Sequence, residues 1–289
     1  MDDIFHLYLT GEMAPHMALM RLFITCDGEA SARETLQCAM QEAESPVKAK
    51  LAELKNLWDR SPEAFSLISG IDRLASAGLR TPGKGRVREY RDAFDRAACI
   101  SAEASVALYS LGDRELLDSI TSEIVGLMRE WQLFDETSVV AEIGCGTGRF
   151  QRFLAPHVRK IVGIDISEQM LRRAVEQVRG HNNVLLVQVS GTDLSMLPDN
   201  RFDLVLAIDS FPYIVDAGGA DVHFCDCSRI LAQGGRMLMM NFDYGSSLES
   251  QQQQVATRAT KYGFTVLRNG TRDLRSWDGK AFLLEKRAT

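Results

Sequence analysis

Three glycines at alternate positions, Gly144, Gly146 and Gly148, follow an apolar run and a lone acid, Glu142, in the segment VVAEIGCGTGRF (139–150). A side chain at any of the three would hold a ligand away from the main chain, whereas glycine permits close approach and positive φ. The segment reads as a buried strand, a turn against which a nucleoside-type ligand can lie, and the start of a helix. Spacing then separates the ligand classes. In the dinucleotide turn G-x-G-x-x-G the third glycine packs the helix beneath a pyrophosphate, and counting from Gly144 that place falls on Arg149. The phosphate loop G-x-x-x-x-G-K-[ST] cannot be laid on these residues either. Cys145, inside the turn, reads as a small tolerated residue and not as a nucleophile.

The segment resembles the E/D-x-G-x-G-x-G signature of class I S-adenosylmethionine (SAM) dependent methyltransferases. A glycine-rich turn with no ligand is the plainer alternative, and the next motifs weigh against it. KIVGIDI (160–166) is a second buried-strand pattern ending in Asp165, about twenty residues after the first glycine. In a doubly wound sheet the carboxyl ends of adjacent strands face one crevice, so an acid there can accept hydrogen bonds from both ribose hydroxyls. Ser167 is better placed than Asp165 to cap the following helix. A third apolar run, Val184 to Val189, leads to Gly191, Thr192 and Asp193. The resemblance sets an acid after the third strand against the adenine amino group, which matches Asp193, with the N–H of Leu194 beside it to complete the readout. Ile166 and Met170 would give apolar faces to the ring, although Met170 adjoins the stripe Leu171, Ala174 and Val178 and can equally be core.

FDLVLAIDSFPY (202–213) begins as a central strand, and a helix ending in RILAQGG (229–235) precedes a fifth strand, RMLMMNF. Four motifs in this order extend the resemblance from near Tyr90 to the C-terminus. It implies an α/β fold: a doubly wound, seven-stranded, mostly parallel Rossmann-like sheet in the order 3-2-1-4-5-7-6, with the last strand antiparallel. It also implies SAM as cofactor and S-adenosylhomocysteine (SAH) as product, with Glu142 and the first glycines at the methionyl end and the backbone near Ile208 and Asp209 facing its ammonium.

A sulfonium makes its methyl carbon electrophilic, so the protein's task is in-line alignment and exclusion of water. A hydroxyl acceptor requires a base, whereas a neutral amine does not. The candidate bases are Asp209, Tyr213 and His223, the last reading more naturally as a packing or exposed histidine. The tract Asp209-Ser210-Phe211-Pro212-Tyr213 resembles the Asp-Pro-Pro-Tyr motif of amino-methylating enzymes but departs at two inner positions, so it does not point to a nucleobase. Phe211 and Tyr213 can instead wall a small acceptor. Three other readings stay open: a methyltransferase acting on protein or RNA, another nucleotide-binding Rossmann enzyme such as an oxidoreductase, and a non-catalytic Rossmann protein that keeps the pocket.

These residues need elements to hold them. With 289 residues, the chain exceeds one such domain, and its 45% hydrophobic content can bury a core. A formal charge of −6 argues against broad nucleic-acid binding, and the local run Arg80, Arg86, Arg88 and Arg91 reads as a solvated linker or helix face. No signal peptide or membrane-length apolar run is visible, and the expected location is a reducing cytoplasm. The cysteines show no metal spacing; Cys225 and Cys227, on one helix, would point apart, so no metal is expected.

The N-terminal region reads as helices. Pro15 opens one carrying Met17, Met20 and Ile24. Ser45-Pro46 opens another with Val47, Leu51, Leu54 and Trp58 on one face, and Ser61-Pro62 a third with Phe65, Ile68 and Ile71, closing near Gly78. Such faces need a partner surface: each other, the catalytic domain under a lid, or a second subunit in a homodimer. Residues 1–80 are expected to form a helical lid or dimerisation region and 81–112 a linker, strongest at 81–87, with helices from Tyr90 to Tyr109 that the resemblance implies cover the cofactor and substrate. The methyltransferase domain would occupy 113–289, entered by a helix capped by Asp113 with Leu117, Ile120, Ile124, Leu127 and Trp131 packed on the sheet. Gln251 to Gln254 fall in a helix after the fifth strand. Two final strands, Phe264 to Arg268 and Ala281 to Lys286, flank a loop holding Trp277, Asp278 and Gly279.

Overall fold

The computed structural model describes residues 3–76 and 85–288. Most of the expected linker, Arg80 and the predicted helix end near Gly78 lie outside the described residues. Gly85 to Val87, expected in the linker, already form helix.

Five helices come first: α1 (Asp3–Leu9), α2 (Pro15–Thr25), α3 (Glu29–Glu42), α4 (Ser45–Arg60) and α5 (Ala64–Ser76). Pro15 and Pro46 sit in the first turns of α2 and α4, where a missing N–H costs nothing. The Ser-Pro signals mark starts less sharply than expected. Glu44, not Ser45, occupies the cap position of α4, and α5 opens only at Ala64, whose N–H donates to the Ser61 carbonyl. Helix α2 buries Ala18, Leu19, Leu22 and Phe23, whereas Ile24, expected on the apolar face, is 40% exposed. Phe23 meets Trp58 edge-on with ring centroids 4.7 Å apart, and the Arg33 guanidinium lies over the same indole, 4.3 Å from the ring centroid.

Helix α6 (Gly85–Ile100), the short α7 (Ala102–Val106) and α8 (Arg114–Glu130) follow. Asp113 caps α8, accepting from the Leu116 N–H at 2.8 Å. Met128, not Leu127, takes the buried place near its end.

The chain divides into two compact units that interleave along the sequence and do not follow cuts at 80 and 112. One comprises described residues up to 76 together with 96–120 and 275–278; the other comprises 85–95, 121–274 and 279–288. Within the helical unit, residues 275–278 are held against α2 and Tyr109. Trp277 packs on Tyr109 at 5.2 Å, His16 Nε2 lies 2.7 Å from the Ser276 carbonyl oxygen, and Arg21 pairs with Asp278 at 2.6 Å.

The second unit is a seven-stranded sheet in the order β3-β2-β1-β4-β5-β7-β6. Its strands are β1 (Val139–Ile143), β2 (Lys160–Asp165), β3 (Val184–Gln188), β4 (Phe202–Ile208), β5 (Leu231–Met240), β6 (Phe264–Thr271) and β7 (Ala281–Lys286). Strands β1 to β5 pair in parallel, and β7 runs antiparallel to both of its neighbours, as expected. Continuous apolar runs such as VVAEI and FDLVLAI suit strands covered on both faces. The intervening helices are α9 (Arg149–Leu154), α10 (Glu168–Gln177), α11 (Phe211–Asp216), α12 (Ala220–Ile230) and α13 (Leu248–Lys261). The expected helix through Gly235 is shorter. Helix α12 stops at Ile230, and LAQGG enters β5, where pairing passes from Phe202–Leu231 to Leu204–Arg236 and the extra residues loop out. Gly235 is needed there, because a Cβ would stand 2.9 Å from the Ala232 carbonyl oxygen. The strand order reverses between β1 and β4, which opens a crevice at their carboxyl ends.

Candidate functional site

At that crevice the N–H groups of Gly144 and Cys145 both donate to the Ile164 carbonyl, at 2.8 and 3.0 Å, which anchors the glycine turn on β2. Asp165, buried at the tip of β2, accepts from the Gly146 N–H through one oxygen and from the Ser167 N–H through the other, each at 2.8 Å. It thus ties the turn to the start of α10. Burial pushes its carboxyl up to about 6, against the pull of the Ser167, Gly146 and Ile166 N–H groups, and nearby Asp95 adds to the rise. Ser167 caps α10 as expected, accepting from the Met170 N–H at 3.1 Å.

The three glycines have separate tasks, and two differ from the expected one. A Cβ on Gly148 would stand 2.9 Å from the Cβ of Ala174, so this glycine lets α10 pack against the turn. A Cβ on Gly144 would strike the Ser210 Cβ at 2.5 Å, so its bareness admits the β4 tip. Gly146, at φ +53°, carries the N–H that meets Asp165. Cys145 is buried over Gly163, and burial holds its thiol well above the ordinary range, which leaves it inert.

Glu142 is 1% exposed and accepts a 2.6 Å hydrogen bond from Gln151 Nε2. Burial pushes its carboxyl up to about 8, with the Gln151 bond and the Arg149 charge opposing the shift. A buried acid raised this far gains from a cation brought beside it.

Around the β3 tip, Gly191 has φ +78°, and a Cβ there would meet Ile166 Cγ2 at 2.6 Å and Val87 Cγ1 at 2.9 Å. Ile166 and Val87 therefore form an apolar pair where the adenine faces were expected. Met170 is 2% exposed and shares the buried side of α10 with Ala174, whereas Leu171 and Val178 are only half-buried. Asp193 accepts from the Ser195 hydroxyl at 2.6 Å, the Ser195 N–H at 3.0 Å and Thr192 Oγ1 at 3.0 Å, and these donors hold it below the usual carboxylate range. The Leu194 N–H, expected beside Asp193 as a second contact to the adenine edge, is already engaged: it donates to Asp226 at 2.8 Å, and Leu194 is buried. Arg229 secures the same loop, donating to the Leu194 and Leu197 carbonyls at 2.9 and 2.8 Å and pairing with Asp226 and Asp199.

Ile208 is buried at the end of β4. Asp209 and Asn241, the residues that follow β4 and β5, both have left-handed backbones, at φ +59° and +63°. Asn241 Nδ2 donates to Asp209 Oδ1 at 2.9 Å, and the Tyr244 hydroxyl donates to the same oxygen. Tyr213 stands in α11 with three rings nearly perpendicular to it: Tyr90 at 5.0 Å, Phe94 at 5.1 Å and Tyr244 at 6.0 Å. Two expectations fail here. Phe211 is fully buried against Phe224 and Phe242, so it is core and not an acceptor wall. His223 is 1% exposed, its Nδ1 lies 3.0 Å from the Gly219 carbonyl oxygen, and burial lowers its pKa, so it is a packed helix residue and not a base at the strand tips.

Residues 85–95 of α6 join this site. Arg86 Nη1 and the Tyr90 hydroxyl both donate to Asp216, at 2.6 and 2.5 Å to its Oδ2, and Asp95 accepts from Ser167 Oγ at 2.6 Å and from the Gln169 N–H at 3.1 Å. Arg86 is therefore ion-paired, contrary to its reading as part of a solvated run. Sequence reasoning passed over Val87, Asp95, Gln151, Asp226, Asn241 and Tyr244. Only Asp226 had a local signal, an acid three residues before Arg229 on one helix.

Cys225 is exposed and Cys227 buried on α12, and among the described residues no group of three or more His, Cys, Asp or Glu could hold a metal ion. Among the described residues no helix is long and apolar enough to cross a membrane.

Residues 140–235, which hold the glycine turn and the tips of β1 to β4, match the family model of the methyltransferase domain. The chain carries a class I S-adenosylmethionine-dependent methyltransferase domain. Demethylmenaquinone methyltransferase of Tropheryma whipplei is 31% identical over 105 residues, which are 36% of this chain and 42% of that protein. The 18S rRNA (guanine-N(7))-methyltransferase of Bos taurus is 29% identical over 139 residues, 45% of this chain and 47% of that protein. The chain thus spans less than half the length of these curated relatives. Phosphoethanolamine N-methyltransferase 1 of Haemonchus contortus, solved with phosphoethanolamine and SAH, shares the methyltransferase fold with a TM-score of 0.57. The two chains are 15% identical, and the match covers 72% of this chain and 50% of that one.

Proposed function

We infer that this chain transfers a methyl group from SAM to an oxygen or nitrogen of a small-molecule acceptor and releases SAH. The observation that carries the reading is the Gly146 N–H bonded to Asp165, which sets the glycine turn between two buried acids, Glu142 and Asp165, at the tips of adjacent strands. The residues present suit the cofactor: a buried acid with a raised pKa for the methionyl ammonium, a second acid for the ribose hydroxyls, and an apolar pair beside a polar loop for adenine.

SAM, when bound, supplies an electrophilic methyl carbon. In this reading Glu142 balances the ammonium and Gln151 keeps its carboxylate oriented, while the backbone near Ile208 and Asp209 faces the same end. Asp165 accepts from the ribose. Ile166 and Val87 flank the adenine, Thr192 and Asp193 meet its edge, and Met170 supports the pocket from the helix side. Asp209 and Tyr213 remain the candidates to orient the acceptor or take its proton.

Calorimetric titration of the full chain with SAH, SAM and NAD tests this. Binding of the first two and not of NAD is expected; absence of SAH binding would remove the reading.

An RNA acceptor is the second reading, prompted by the Bos taurus relative. It is disfavoured by the net charge of −6, since RNA binding calls for a basic face. A homodimer through the N-terminal helices, and a cytoplasmic location, complete the proposal; sedimentation of the full chain tests the former.

A further inference from the structure

A serine at the N-cap of a helix ordinarily turns its hydroxyl oxygen to accept from the first N–H groups of that helix. Ser210, which precedes α11, turns away from that role: its Oγ donates to the Ile143 carbonyl at 2.5 Å, a residue 67 positions earlier in the chain.

The sheet decides where this bond falls. Main-chain pairing of β1 with β4 ends at Glu142 and Leu206, although β1 keeps its pairing with β2 as far as Ile143 and β4 keeps its pairing with β5 as far as Ile208. The two strands therefore part where the crevice opens, and the Ser210 hydroxyl spans the parting. Gly144 makes the crossing possible, because a Cβ there would stand 2.5 Å from the Ser210 Cβ and 3.1 Å from its Oγ. Two separate features thus serve one contact: a missing side chain in the turn after β1 and a redirected hydroxyl after β4.

On one side of this bridge stand Glu142 and the glycine turn. On the other is the backbone of Ile208 and Asp209, the latter at φ +59° with its N–H donating to the Met240 carbonyl at 2.9 Å. These are the groups assigned above to the amino-acid end of the cofactor. The adenosine end is assigned to the tips of β2 and β3, which are tied to the turn by other bonds, from the Gly146 N–H to Asp165 and from the Gly144 and Cys145 N–H groups to the Ile164 carbonyl. We propose that Ser210 is a positioning residue for the amino-acid end of the cofactor: its bond to Ile143 sets the gap between the β1 and β4 tips to the width of that end and leaves the adenosine berth as it is. A gap fixed before binding spares the ligand the cost of ordering it. This rests on the methyltransferase reading above and adds the residue that gauges one half of its cofactor.

The test compares SAH with 5′-deoxy-5′-methylthioadenosine, which keeps the adenosine and the thioether sulfur and lacks the amino-acid end. Both are titrated calorimetrically into the full chain. The wild type is expected to bind SAH at least about tenfold more tightly than the truncated probe. Ser210→Ala should weaken SAH by about tenfold and change the truncated probe by less than about twofold, and Ser210→Gly should do the same. A pocket that had merely loosened would lose both ligands together. Equal loss of the two ligands, unchanged or tighter SAH binding in a folded variant, or failure of both variants to fold would overturn the proposal, as would a wild type that binds the two ligands alike. Failure of the wild type to bind either ligand would instead overturn the methyltransferase reading beneath it.

Discussion

Gly148 and Ala174 approach so closely that a β-carbon on the glycine would lie 2.9 Å from that of the alanine and 3.0 Å from its Cα. Gly148 also has φ +82°. Gly148→Ala therefore meets both a backbone penalty of about 1 kcal/mol and an overpacking cost of about 1–3 kcal/mol. Denaturant unfolding should show a loss of about 2–4 kcal/mol. Ala174→Gly in the same chain should recover only a part of the packing cost, since the backbone Cα of residue 174 still stands 3.0 Å from the added β-carbon, and none of the backbone part.

The two buried acids give a pH signature. Glu142 is raised to about 8 from an ordinary 4.5, and Asp165 to about 6 from 3.8, so between these limits the folded protein holds more protons than the unfolded chain. Their contribution to stability is complete at low pH and is lost as pH rises through the folded values. A methionyl ammonium beside Glu142 favours the ionised form, so SAH should bind more tightly from pH 6 to 8 and release a proton on binding. Calorimetry in buffers of different ionisation enthalpy measures this release. Glu142→Gln should abolish most of it; unchanged proton release in that variant would place the ammonium elsewhere.

Arg229 secures the loop after β3 by two carbonyls and two acids. Arg229→Ala leaves those carbonyls and one oxygen of Asp226 without this donor, at a cost of about 2 kcal/mol in urea unfolding. SAH affinity should fall several-fold as the loop loosens, although Arg229 lies outside the set assigned to the cofactor.

Arg86 and Asp216 hold the start of α6 beside the strand tips, where Val87 meets Ile166. The pair is partly exposed, so a double-mutant cycle with Arg86→Met and Asp216→Asn should give a coupling of only about 0.5–1 kcal/mol in global stability. A larger share should appear in the SAH dissociation rate, read by stopped-flow, because loosening this end of α6 uncovers the apolar pair.

The sheet was legible because its parallel strands are covered on both faces and read as apolar runs, and because glycines and acids punctuate them in a recurrent order. Where a partner distant in sequence decides, local pattern misled. LAQGG looks like a helix end with its two glycines, yet the bulge opposite Phe202 and Leu204 draws it into β5. Phe211 and Tyr213 are neighbours of similar type, and only the packing of Phe224 and Phe242 sends the first to the core. The Leu194 N–H was assigned to a ligand, but Asp226, more than thirty residues later, accepts from it. Helices α1 and α3 lack the first-turn proline that exposed α2 and α4, and neither is marked in the sequence by a comparable start.

Residues 275–278 complete the helical unit through Trp277, Ser276 and Asp278. During synthesis the first helices emerge early, but their last contacts arrive only after some two hundred more residues have been translated. At about 5–20 residues per second this leaves the Tyr109 face uncovered for roughly ten seconds or more on the ribosome. Completion of the helical unit therefore waits on residues 275–278, long after the first five helices have left the ribosome.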